Sequence, residues 1–116
     1  MAGMSLEEFE QHVIAVCSDL PVVQSVIFSN STPSSVRLRI FLINQSFVDV
    51  FYNYMTGRCS FALIEDDERI LGADNAGDKW HWHPLEDPES HLLVSAEVTF
   101  EEFISRVEKN LKRKIP

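Results

Sequence analysis

Apolar residues at the start of the chain recur at helical spacing. Leu6, Phe9, Val13, Val16, Cys17 and Leu20 share one face when read at 3.6 residues per turn. Ser5 precedes this run and Glu8 stands three residues later, the pattern of a capping box in which each side chain satisfies a backbone N–H at the helix start. Pro21 ends the pattern, because its ring pushes the preceding residue out of the helical conformation. From there the period shortens to two. Strand-like runs are predicted over 22–28, 35–43, 46–54, 58–65 and 68–73. They are separated by 29–34, Asn44-Gln45, Met55-Thr56-Gly57 and Asp66-Asp67. In 35–43, Val36, Leu38, Ile40 and Leu42 take one face and Arg37, Arg39, Phe41 and Ile43 the other. Connections this short admit only antiparallel neighbours, so the runs form a meander.

The stretch 74–90, carrying Gly, Pro, Asp and Asn, predicts a long loop of the kind that bears function. A short sixth strand is expected over 91–98. Thr99 with Glu102 makes a second capping box, after which Phe100, Phe103, Ile104, Val107 and Leu111 trace one helical face. The expected fold is α+β: one domain over 1–116, with an antiparallel five- to six-stranded meander sheet and an N-terminal and a C-terminal helix packed on one face. The opposite sheet face still carries Phe41, Ile43, Phe47 and Phe51, too apolar a set to leave in water, so a homodimer is expected.

Composition agrees with a folded domain: 45% of the residues are hydrophobic and 24% charged. No apolar run approaches the ~20 residues that span a bilayer, and residues 1–8 lack the basic and apolar regions of a secretory signal. The expectation is a soluble cytoplasmic protein without a membrane partner. Cys17 and Cys59 sit in apolar patterns and read as core residues of a reducing compartment. The net charge of −8 is uneven: residues 1–105 hold 5 Lys/Arg against 17 Asp/Glu, a net −12, while 106–116 hold five cations against Glu108, a net +4. Such a body repels polyanions broadly. The basic end suits the negative pole of a helix dipole.

The candidate chemistry is concentrated in one stretch. His81, His83 and His91 fall within eleven residues, and both tryptophans, Trp80 and Trp82, lie among them. If 80–83 is extended, His81 and His83 project to one side about 7 Å apart by strand rise, and Trp80 and Trp82 project to the other, against the core or a partner. Asp74 is near enough in sequence to join the imidazoles. Such a cluster suits a three-ligand metal site with one open position, general acid–base catalysis near the ~6.5 titration of imidazole, or the capping of a sheet edge. Asp74 and Asn75 also fit a turn that satisfies its own backbone. Phosphate-binding loops, C-x-x-C and G-x-S-x-G motifs are absent. His81-Trp82-His83 with Glu86 has something of a first cupin metal motif, but the glycine spacing and a second motif are missing.

The order of elements, the tripeptide Asp74-Asn75-Ala76, the His-rich stretch ending in Pro84, and His91 together resemble the TumE-like toxins of bacterial and archaeal toxin–antitoxin pairs. Gly72-Ala73 departs from the basic or aromatic residue usual before the Asp-Asn pair, and Gly77-Asp78-Lys79 and the tryptophans are also atypical. The resemblance implies an α+β toxin whose expected activity is RNA cleavage, with an antitoxin protein as partner. On that reading His81, His83 and His91 act as acid, base and phosphate contact, and Asp74 orients one of them. Asn75 matches a polar position of the family. Arg37, Arg39, Arg58 or Arg69 would hold the scissile phosphate if their strands face the loop. A metal-binding protein using the same histidines, and a non-enzymatic dimeric interaction domain anchored by Trp80 and Trp82, are the competing readings. No metal or cofactor is identified by the sequence.

Overall fold

The computed structural model describes residues 3–84, 92–93 and 96–114. Helix α1 spans Leu6–Ser18 and opens on the expected box: the Glu8 amide donates to Ser5 Oγ and the Ser5 amide to Glu8 Oε1, each at 3.1 Å. Its buried side chains, Phe9, Val13 and Cys17, are spaced four apart and form a single stripe. Among the described residues seven strands follow: β1 (Val23–Ser31), β2 (Ser35–Leu42), β3 (Phe47–Asn53), β4 (Cys59–Glu65), β5 (Glu68–Asp74), β6 (His81–His83) and β7 (Leu92–Leu93), and then helix α2 (Phe100–Lys114). Sheet order equals chain order and every neighbouring pair is antiparallel, so the meander is complete. The β4–β5 hairpin turns on Asp66 and Asp67, both at positive φ (52° and 65°), as the two central residues of a type I′ turn require.

Alternation fixes the two faces of the sheet. Val36, Leu38 and Ile40 of β2 lie opposite Tyr52, Val50 and Val48 of β3, and these oppose Cys59, Phe61 and Leu63 of β4. All are buried and form one core with Phe9 and Val13 of α1 and Phe100, Phe103 and Val107 of α2. The Phe9 and Tyr52 rings stack at 4.6 Å, and Phe61 meets Phe103 at 5.4 Å. Both helices therefore cover the same face. Fully burying one such aliphatic or aromatic side chain contributes about 1.5–3 kcal/mol, so this cluster dominates the stability of the domain. Cys17 and Cys59 are buried thiols, and burial pushes them up to about 11 and about 12 respectively, which keeps both protonated at neutral pH.

Three details depart from the expected elements. Of the strand expected over 91–98, Leu92–Leu93 form β7 and 96–98 are not strand; residues 91, 94 and 95 lie outside the described residues. Residues 29–31 continue β1, because Asn30 and Ser31 pair with Arg37 and Val36 after a bulge, and the remaining loop, 32–34, is closed by the Thr32 hydroxyl, which accepts the Ser34 and Ser35 amides. The stretch 74–90 is not loop throughout: 81–83 adds to β5 as β6, aligning Trp82 with Ala73 and His81 with Asp74. The opposite face of the sheet carries Arg37, Arg39 and Phe41 of β2, Phe47, Asp49 and Phe51 of β3, Ser60 and Ala62 of β4, Gly72 and Asp74 of β5, and His81 and His83 of β6. Its apolar surface is smaller than the alternation suggests, because Arg37 lies over the Phe51 ring at 5.0 Å and Arg39 over Phe47 at 4.7 Å. No described helix is long and apolar enough to cross a membrane.

Candidate functional site

The β5–β6 pairing brings an acid and two imidazoles onto one face. His81 stands directly opposite Asp74, and His83 directly opposite Gly72, so His83 meets Asp74 on the diagonal. There the Asp74 Oδ2 and His83 Nε2 atoms are 2.8 Å apart. The second carboxylate oxygen, Oδ1, accepts the Ala76 amide at 3.1 Å, which fixes the carboxylate plane. Burial by itself would raise the Asp74 carboxyl. The hydrogen bonds from His83 and Ala76, with the nearby charge of His83 and His81, outweigh that and hold it below the usual carboxylate range. In the neutral His83 ring this bond places the proton on Nε2 and makes Nδ1 the basic nitrogen. His83 is only 3% exposed, whereas His81 is partly open to solvent, so His81 is the imidazole that an incoming molecule reaches first.

Gly72 packs closely beside the His83 ring. A Cβ at this position would lie 3.4 Å from the Phe61 carbonyl oxygen, 3.5 Å from the His83 ring and 3.1 Å from Cδ of Arg69. The His83 ring and the Phe61 carbonyl would thus sit at ordinary contact distance from such a Cβ, and only the Arg69 stem would have to shift. The aliphatic stem of Arg69 thus runs beside Gly72, on the side where the His83 ring lies. Arg37 and Arg39, expected as phosphate ligands, are not there: β2 lies four strands from β6, about 19 Å at the usual interstrand spacing. Arg37 instead pairs with Asp49. Arg58 belongs to a separate cleft of about 410 Å³ that is also lined by Thr56, Asn75, Asp78 and Trp80, and Asp74, His81 and His83 are not part of its lining.

The remaining candidates divide clearly. Asn75 is a staple. Its Oδ1 accepts the Cys59 amide at 2.8 Å and its Nδ2 donates to the Gly57 carbonyl at 2.8 Å, so it ties the β3–β4 turn to the end of β5. Trp80 stacks on Phe61 at 5.9 Å and Trp82 on Phe103 at 5.8 Å, while Arg106 covers Trp82 at 4.3 Å. Both tryptophans face the helices, as the period-two geometry requires, and Trp82 is buried. That packing leaves Trp82 no surface with which to anchor a partner. His91 lies outside the described residues. Sequence reasoning passed over Gly72 and gave the fourth histidine, His12, no role. His12 meets Glu101 at 2.8 Å and joins α1 to α2; the long separation of the two residues in sequence hid that contact.

Among the described residues, no group of three His, Cys, Asp or Glu side chains is placed to hold a metal ion. The cluster is thus a partly exposed imidazole, His81, beside a hydrogen-bonded pair made of the partly buried Asp74 carboxylate and the buried His83 ring. No family model, no curated protein and no solved structure matches the chain.

Proposed function

We propose that this chain is a small ribonuclease of the TumE-like toxin kind, working by acid–base chemistry on the RNA 2′-hydroxyl. The observation that carries the reading is the Asp74 carboxylate on one sheet face with two imidazoles, bonded to His83 at 2.8 Å and paired across the strands with the partly exposed His81. The order of elements and Asp74-Asn75-Ala76 with its following histidines supply RNA as the substrate, through their resemblance to those toxins.

His81 takes the proton of a 2′-hydroxyl, whose oxygen attacks the adjacent phosphorus. The bond from phosphorus to the 5′-oxygen breaks, that oxygen takes a proton from water, and the products end in a 2′,3′-cyclic phosphate and a 5′-hydroxyl. Asp74 stabilises the imidazolium that forms on His81. His83 is a positioning residue that holds the carboxylate, and Arg69, whose stem runs beside Gly72, would supply positive charge for the phosphate. An antitoxin protein would be the partner that silences this activity.

The test is cleavage of a defined RNA by untagged protein in chelator, with product ends analysed. His81→Ala is expected to lose about 10²–10⁴-fold in rate, the usual contribution of a positioned base, with its melting curve unchanged. His83→Ala is expected to retain part of the rate and to shift the pH profile. Full activity in His81→Ala removes the mechanism.

A further inference from the structure

Residues 1–36 contain four carboxylates, Glu7, Glu8, Glu10 and Asp19, and no Lys or Arg. They build α1 and β1, so the helix side of this border carries carboxylates and no Lys or Arg, while Arg37 and Arg39 of the neighbouring β2 lie opposite Asn30 and Ile27 on the other sheet face. β1 is the edge strand, and among the described residues no strand pairs with its outer side. From Val23 to Ser31 it has no charge and no proline, the devices that usually keep an edge from accepting another strand. Bulges on either side limit its regular ladder to Ser25–Phe28, where Ile27 and Phe28 are 50% and 54% exposed. Beside this edge runs a cleft of about 250 Å³ between α1 and β1, in which Ile14, Cys17, Leu20, Val23 and Val26 give apolar lining and Ser18 and Gln24 polar lining. Glu10 lies one turn before Ile14 on the same helix flank, and Asp19 caps the helix between the lining residues Ser18 and Leu20.

We propose that this edge binds an extended basic segment of a partner protein. The segment adds a strand along Ser25–Phe28, places an apolar side chain in the α1–β1 cleft, and sets Lys or Arg against Glu10 and Asp19. Main-chain bonds to an open edge supply affinity, and a pocket for alternate side chains supplies selectivity. Charge decides between occupants. A second copy would bring its own cation-free α1 and β1 against this border, and half of the chain's own cations lie in residues 106–114, within the helix α2, so they do not offer a strand. The proposal is independent of the histidine chemistry, which sits at the far side of the sheet.

The experiment titrates the full ¹⁵N-labelled chain at low salt with a ten-residue peptide of alternating lysine and valine. The expected result is amide shifts concentrated at 25–28 and along the flank of α1, at least tenfold weaker binding by Ile14→Lys, and no binding of the glutamate–valine counterpart. Ile14 is 37% exposed, so that substitution is tolerated on the surface, and Glu10→Lys gives the same readout should it disturb folding. The proposal is overturned if the backbone N-methylated peptide binds equally well, if the shifts map to the face bearing His81, or if both variants bind with unchanged affinity. It is also overturned if sedimentation shows a dimer of the chain that Ile14→Lys dissolves.

Discussion

A carboxylate held below its ordinary pKa makes a pH-dependent contribution to stability. For Asp74 the folded value lies under the unfolded 3.8. Its contribution is therefore complete above that value and is lost as pH falls through the lower folded one. Asp74→Asn is expected to cost about 1–3 kcal/mol at pH 7, the range for leaving a buried partner poorly satisfied. Urea titrations of the two proteins should show the gap narrowing below pH 4; a constant gap down to pH 2 would mean that the charge of Asp74 is irrelevant to folding. Asn75 illustrates the other side of the motif. Its neighbourhood with Asp74 suggested a ligand, yet both ends of its amide are spent on the backbone of another hairpin. Asn75→Ala should lower stability by about 1–3 kcal/mol and leave the RNA-cleavage rate per folded molecule unchanged. No local pattern could have revealed this, because the partners Gly57 and Cys59 lie far back in the sequence.

Elements were legible where a period and a boundary signal coincided. Both helices carry an apolar stripe and a capping box, and both begin where those signals put them. The strands β2 to β4 follow from alternation, and β5, which does not alternate, from the turn residues Asp66-Asp67 before it. β6 was harder to read, since three residues are too few to establish a period and Gly, Asp and Pro surround them. What defines β6 is tertiary: Trp82 packs on Phe103 while its strand pairs with β5. The arginines of β2 were misplaced for a related reason. Alternation gives the face of a side chain and says nothing of how many strands lie between it and the site. Trp82→Ala is expected to cost about 3–5 kcal/mol, as for other buried large aromatics. Because β6 carries both imidazoles, the same change should lower RNA cleavage more than a helix-cap change such as Thr99→Ala, which costs about 1 kcal/mol. Comparing the two variants at a temperature where both remain folded separates loss of the strand from loss of stability.

At the scale of the whole molecule, charge sets how an RNA would arrive. The chain carries −8, and the stretch between the described histidines and His91 adds Glu86, Asp87 and Glu89 in sequence. A polyanion therefore meets repulsion at long range and finds attraction only near a few cations such as Arg69. The Debye length is about 10 Å at 0.1 M salt, so added salt screens the long-range repulsion more than it weakens contacts at the site. Raising monovalent salt from about 20 to about 150 mM should then raise kcat/KM for RNA cleavage, the reverse of the steep fall that basic nucleic-acid proteins show through counterion release. The effect should grow with RNA length, because a longer strand extends more phosphates over the acidic body, and it should nearly vanish for a dinucleotide. A steep decrease with salt for every length would require a dense set of phosphate-binding cations at the site, and would displace the single-arginine arrangement around Asp74, His81 and His83.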